Sequence, residues 1–359
     1  MICGIIGPPQ SGKSTLFNLL TGLIEDTSAI GRKDPRRGVA QLIDNRLEQL
    51  AKVWDSKKII YATVEYIDIP GFSAEPGSSQ PYPPKYLAEL RTVDVLGLVI
   101  RDFQNPTVSH PQGSVDAERD FSEAMLEFLV NDLDLLERRL NKISKINEAE
   151  GKREIVLLER CIGYLSDGNH LRDYEFSENE LQLLKGYSLL SLKPLMIVLN
   201  LDEDTAPDAE KRVSDFLDNC ELSSDNVDTV GVAVSVESEI ALLDPEDRAP
   251  FLEELGFKQS ALERVVDATF TMLGLVTFLT AGPKEARAWA TTAGSTAVHA
   301  AGKIHDDIAR GFIRAEIYNW KELVDVGSFA ALRDQGKLRV EGKNYLIAEG
   351  DVMNIRFNV

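Results

Sequence analysis

The chain has 359 residues, with 39 Lys and Arg against 58 Asp and Glu, a formal charge of −19 and a pI near 4.7. Hydrophobic residues at 43% exclude global disorder and supply a sizeable core, and the length suits two or three domains of roughly 100–200 residues each. The acidic average disfavours bulk-charge binding to free DNA or to anionic membrane, because neutralising phosphates takes a basic surface.

No stretch approaches the ~20 apolar residues of a membrane helix. The apolar start MICGIIG lacks the basic lead and long apolar core of a signal peptide. Cys3, Cys161 and Cys220 show no CxxC or pairing pattern, which reads as free thiols in a reducing cytosol. His110, His170, His299 and His305 have no metal-ligand spacing.

In chain order, Ile2–Ile6 is an apolar run typical of a buried parallel strand. A glycine loop, Gly7 to Thr15, follows, and Leu16–Leu20 then shows helical spacing. Further strands are expected at Val64–Asp68, Val95–Ile100, Leu195–Asn200 and Val230–Val234, separated by helical stretches. Such runs predict an α/β fold with a mostly parallel sheet covered on both faces. Between them, Leu126, Leu129, Leu133, Leu136, Leu140 and Ile143 repeat at 3,4,3,4,3, and Ile155, Leu158, Ile162 and Leu165 at 3,4,3. With an interruption at Asn147–Lys152, this predicts an inserted α-helical coiled-coil hairpin. Ser177 and Glu180 signal a capping box for another helix.

From Val276 the character changes to short strands and turns, with one helix expected over Thr296–Ile308, which suggests a compact mixed sheet. Here 11 basic residues face 10 acidic ones, so the excess negative charge lies in the first 275 residues. The domain reading is residues 1–120 and 194–275 for the α/β body, 121–193 for the helical insertion and 276–359 for the tail.

Gly7-x-x-x-x-Gly12-Lys13-Ser14 fits a phosphate loop in full and sits between strand and helix, as that loop must. Glycines Gly7 and Gly12 let backbone approach phosphate oxygens, and the amides from Ser11 to Thr15 donate at a helix N-terminus. Lys13 reaches the terminal phosphates, and the Ser14 hydroxyl coordinates Mg²⁺. Asp68-Ile69-Pro70-Gly71 follows a strand: Asp68 reaches Mg²⁺ through water, and the Gly71 amide approaches the γ-phosphate.

Asn200-Leu201-Asp202-Glu203 stands where GTP-binding proteins carry Asn-Lys-x-Asp. Leu201 replaces the Lys that packs over the base, and Glu203 replaces the Asp that reads guanine. Guanine loses its advantage, and adenine becomes plausible. Ser235 and Val236 stand where such folds place a base-contacting loop. Phe72 occupies the position of a water-orienting Gln, and Pro9 puts bulk without an N–H beside the γ-phosphate. Both point to unusual catalytic machinery.

These residues, with the stretches GPPQSGKSTLFNLLTG, EYIDIPGF, VSHPQGSVDAERD and NLDE and the tail from FLTAGPKEARAW to LIAEGDVMNIRFNV, resemble the YchF / Obg-like ATPase family of the Obg branch of P-loop NTPases. The resemblance spans nearly the whole chain and is closest in the tail. It implies a TGS-type β-grasp α+β tail, slow ATP hydrolysis, with ATP favoured over GTP, and association with the ribosome. It also implies that His110 does the work of the missing Gln; read alone, one loop His is more often a plain surface residue. Gln10-Ser11 departs from the family's Asn-Val. No Thr lies between Gly31 and Arg46 to serve as a switch ligand, and Glu75–Pro84 is Pro- and Ser-rich where the family is Gly-rich. Three readings follow: an ATP-hydrolysing ribosome regulator, a nucleotide-gated binding module with negligible turnover, and a true GTPase. Arg314, Lys337, Arg339, Lys343 and Arg356 form a candidate basic face toward ribosomal RNA, with solvated strand charges as the alternative.

Overall fold

The computed structural model of the protein describes residues 1–23, 34–70, 84–144, 149–222, 226–254 and 260–358. The chain starts with β1 (Ile2–Ile6) and α1 (Lys13–Thr21), then β2 (Arg36–Leu42), α2 (Asn45–Trp54), β3 (Ile59–Ile60), β4 (Ala62–Asp68), α3 (Pro84–Thr92) and β5 (Val95–Asp102). Two long helices follow, α4 (Ala117–Ile143) and α5 (Ala149–Ser166), then the short α6 (Glu178–Leu184). The body resumes with β6 (Leu195–Leu201), α7 (Ala209–Asn219), β7 (Val227–Val232), α8 (Val234–Leu242), α9 (Pro245–Glu254) and α10 (Ala261–Met272). The tail runs through β8 (Leu275–Ala281), β9 (Ala286–Thr292), α11 (Ala297–Ile304), α12 (Asp306–Arg310), β10 (Phe312–Asn319), α13 (Trp320–Val326), α14 (Phe329–Asp334), β11 (Arg339–Glu341) and β12 (Asp351–Phe357). Among the described residues no helix is long and apolar enough to cross a membrane.

The first sheet has the order β2-β4-β1-β5-β6-β7, with parallel pairing from β4 through β7. Its strand β6 is buried at every position and β5 at all but its last, which suits a sheet covered on both faces. From β1 the order runs to β4 on one side and β5 on the other. The carboxyl end of β1 is therefore a topological switch point, where open α/β sheets bind ligands. Gly7, Asp68 and Asn200 all lie at the carboxyl ends of these strands.

The helices α4 and α5 enclose their own apolar cluster of Leu129, Leu136, Ile143, Leu157, Leu158, Cys161 and Leu165. The 3,4 repeat thus marks a real seam, with one difference. Leu126 is 60% exposed. The first half of α4 instead buries Phe121, Ala124, Met125 and Phe128 against the body sheet, so this helix changes its packing face along its length. The Ser177–Glu180 capping box closes, with the Glu180 carboxylate accepting from the Ser177 N–H at 2.8 Å.

The second sheet has the order β11-β10-β12-β8-β9-β3. Its first tail strand, β8, and last, β12, pair parallel at the centre, the arrangement of a β-grasp, and Ala297, Ala300 and Ala301 of α11 pack into its core. The expected helix over Thr296–Ile308 is broken at His305. That residue is extended (φ −167°), and its Nδ1 accepts the Asp307 N–H at 3.1 Å to cap α12.

By packing, the chain divides into Met1–Gly38 with Glu65–Met272, and Val39–Val64 with Leu273–Val359. Residues 39–64 therefore go with the tail, not with the first part of the body where chain order placed them. The cause is specific: the Trp54 and Phe329 rings meet tilted with centres 5.4 Å apart, Arg46 pairs with Glu349 at 2.7 Å, and Ile59–Ile60 adds an edge strand beside Ala286–Arg287.

Candidate nucleotide site

The loop Gly7–Gly12 leaves β1 and enters α1 with backbone that only glycine tolerates at two points. Gly7 has φ +142° and a Cβ there would lie 2.2 Å from the Val99 carbonyl oxygen; Gly12 has φ +95° and a Cβ would lie 2.3 Å from Asn200 Nδ2. No side chain caps α1, so its first N–H groups are left for an anion. Ser11 is fully buried and its Oγ has no partner. Lys13 is 6% exposed, and its Nζ donates to the Pro8 carbonyl at 2.5 Å. Burial pulls its ammonium down to about 8, against the opposing pull of Asp68. Ser14 and Thr15 follow on the first turn of α1, and Gln10 is exposed with φ 63°.

Asp68 ends β4 and is 4% exposed. Its Oδ2 accepts from Arg36 Nη2 at 2.6 Å and Nε at 3.2 Å, while Oδ1 is buried without a hydrogen-bond partner among the described residues. A partnerless buried carboxylate oxygen is costly unless something else meets it. Together with the Ser14 hydroxyl it is a fitting donor set for a hydrated divalent cation. Gly71, Phe72 and most of Glu75–Pro84 lie outside the described residues, as does the stretch up to Lys33 ahead of Arg37.

A cavity of about 450 Å³ opens beside the loop, lined by Gly12, Thr15, Phe103, Gln104, Asn105, Asn200, Leu201, Asp202, Glu203, Asp204, Val234, Ser235 and Ser238. Its size suits a nucleoside. The sequence reading missed Phe103, Gln104, Asn105, Asp204 and Ser238, and gave Asp202 and Val234 only as members of their motifs. Val236 does not line it and faces a neighbouring small cavity with Ala206 and Ile240. Asn200 works as a brace: its Nδ2 donates to the Ser11 carbonyl at 3.0 Å and its Oδ1 accepts the Val234 N–H at 3.2 Å. Leu201 is 2% exposed and belongs to the body core. Both Asp202 oxygens accept from the Gln104 N–H, at 3.0 and 3.1 Å. Glu203 is exposed and starts a 3₁₀ turn.

His110 is not among the cavity residues. Its Nε2 meets Asp120 Oδ2 at 2.8 Å and its Nδ1 accepts the Gln112 N–H at 3.1 Å, with the side chain 4% exposed. The Gln112 bond puts the ring hydrogen on Nε2, directed at Asp120. Asp120, on α4, also takes Arg119 on its other oxygen. In the tail, Arg339 pairs with Asp351 and Arg356 with Glu316; of the rest of the basic set, Arg314 and Lys343 are exposed and Lys337 is half-buried.

A phosphate loop at the switch point of a parallel sheet, a nucleoside-sized cavity beside it, a helical insertion and a β-grasp tail define a P-loop NTPase. The family model described as "50S ribosome-binding GTPase" matches residues 2–160, and the YchF-GTPase C-terminal model, described as "Protein of unknown function (DUF933)", matches residues 275–358. A curated protein of Haemophilus influenzae, "Ribosome-binding ATPase YchF", is 36% identical over 99% of both chains, and its Bacillus subtilis namesake is 34% identical over 100% of both. The solved structure of the Schizosaccharomyces pombe YchF GTPase superposes with a TM-score of 0.85 at 25% identity, covering 99% of this chain and 97% of that one. The chain belongs to the YchF family.

Proposed function

We propose that the chain is a cytoplasmic, ribosome-binding ATPase that hydrolyses ATP to ADP and phosphate and prefers ATP to GTP. The observation that carries the base preference is Glu203 at the guanine-reading position, on the cavity wall. Glu203 is a longer acid than the Asp that reads guanine and is exposed, while the neighbouring Asp202 carboxylate accepts the Gln104 N–H on both oxygens. Position 203 itself carries no aspartate, and the other short carboxylate on the cavity wall, Asp204, stands one residue further on. The full-length curated relatives are themselves named ribosome-binding ATPases.

In this reading Gly7, Gln10, Ser11, Gly12 and Thr15 offer backbone to the phosphates, and Lys13 leaves the Pro8 carbonyl to meet their charge. The Gly71 amide approaches the γ-phosphate. Asn200, Leu201, Glu203 and Ser235 surround the nucleoside, with Val236 behind them. Ser14 and Asp68 would hold Mg²⁺, which when bound supplies positive charge to the phosphate oxygens. A water oxygen bonds to the γ-phosphorus as the bond to the β,γ-bridging oxygen breaks, and the water proton leaves to solvent or phosphate. His110 orients that water once its loop releases the ring from Asp120, since phosphoryl transfer depends mainly on positioning. Arg314 and Lys343 contribute positive charge toward ribosomal RNA.

The test is calorimetry of ATP and GTP on the purified chain, with phosphate release measured in parallel. Tighter ATP and measurable release are expected; tighter GTP returns the GTPase reading. The engagement of both His110 ring nitrogens favours a second reading, a nucleotide-gated binding module. Stoichiometric ATP binding without phosphate release would establish that one.

A further inference from the structure

Arg36 reaches Asp68 in an unusual way. Arginine–carboxylate pairs commonly match fork to fork, two N–H groups on two oxygens. Here Nε and Nη2 both converge on Oδ2, at 3.2 and 2.6 Å, and the buried Oδ1 is left without a hydrogen-bond partner among the described residues. The guanidinium has little freedom to correct this. Its Nη1 donates to Asn18 Oδ1 at 2.7 Å, its Cζ lies over the Phe17 ring 4.8 Å from the ring centre, and the residue is 7% exposed. Asn18 and Phe17 are on α1, directly after the phosphate loop, so the same helix that presents its N-terminus to phosphate also fixes the arginine.

We propose that Arg36 is a positioning residue of the phosphate site, a built-in cation that neutralises Asp68 and turns Oδ1 alone toward the space a divalent cation would occupy. The proposal rests on the reading that Asp68 and Ser14 hold that cation with the nucleotide. Its consequence is thermodynamic. With Asp68 already balanced by Arg36, a divalent cation gains little from the carboxylate, and Lys13 leaves the loop attractive to an anion. The nucleotide then binds with a shallow dependence on the metal. Without Arg36, the carboxylate offers its full charge and both oxygens, and the metal becomes a much larger part of nucleotide affinity.

The experiment measures the dissociation constant of a fluorescent, non-hydrolysable ATP analogue in EDTA and in excess Mg²⁺, and takes the ratio. Arg36→Gln is expected to raise that ratio at least tenfold over the parent chain. Arg36→Lys, which keeps the charge and guards against loss of the fold, is expected to hold it within about threefold, the scatter of context-dependent side-chain effects. Asp68→Asn is expected to remove the extra Mg²⁺ enhancement that Arg36→Gln gains and to leave the shallow dependence of the parent within about threefold. A folded Arg36→Gln chain with an unchanged ratio, or a tenfold change in Arg36→Lys, overturns the role of Arg36 while leaving Asp68 in place. An extra enhancement in Arg36→Gln that survives the addition of Asp68→Asn overturns the assignment of Asp68 and the role of Arg36 with it.

Discussion

Asn200 and Ser11, far apart in sequence, are joined by a hydrogen bond of 3.0 Å between a buried side-chain amide and a buried backbone carbonyl. The same amide accepts the Val234 N–H, so one side chain ties the phosphate loop to the loop that walls the cavity. The Asn200→Ala chain would leave a carbonyl and an N–H unsatisfied, at about 1–3 kcal/mol each. Denaturant unfolding should show that loss, and ATP affinity should fall with it. An unchanged midpoint and affinity would show that neither loop depends on the brace.

His110 separates binding from turnover. In the proposed function it touches water and not the nucleotide, so His110→Ala should lower phosphate release about 100-fold, the scale of losing one positioned polar group in a transition state. The ATP dissociation constant should stay within about threefold. Equal turnover in both chains would remove His110 from catalysis.

Leu136 is fully buried in the cluster between α4 and α5. Leu136→Ala should cost about 2–5 kcal/mol, as core truncations of this kind do. ATP affinity should be unaffected, because this cluster shares no residue with the cavity lining. Calorimetric melting and a binding titration on the same sample check both halves.

His170 gives a pH signature outside the site. Burial, reinforced by Arg172, pulls its imidazole down to about 4. In the unfolded chain it titrates near 6.5, so between those values the unfolded state holds a proton that the folded state does not. This group therefore makes stability rise with pH across that window and fall as pH drops from about 6.5 toward 4. His170→Gln should flatten that part of the stability profile; an identical slope in both chains would show that His170 charges freely in the fold.

The phosphate loop was legible because each of its residues meets a local requirement: positive φ at Gly7 and Gly12, a lysine, a hydroxyl and a helix start. The parallel strands and hairpin were legible because apolar periodicity reports which face is buried. What stayed hidden depends on partners distant in sequence. Nothing near Asn200 announces Ser11, and nothing near His110 marks Asp120 as its partner rather than a helix-surface acid. Asn45–Trp54 reads as an ordinary amphipathic helix; only the fold shows Trp54 meeting Phe329 and so assigns that segment to the tail. Leu126 kept the heptad phase yet is exposed, because α4 spends its first turns on the body sheet. The helix break at His305 was signalled by His-Asp-Asp, a cap followed by first-turn acids, but an alanine-rich run masked it.

The central claim is an adenine-selective nucleotide site that turns over. Its most direct test is competition between ATP and GTP for the purified chain in Mg²⁺, read by calorimetry, with phosphate release followed for each nucleotide. ATP should bind more tightly and be the one hydrolysed; tighter binding and faster hydrolysis of GTP would contradict the account.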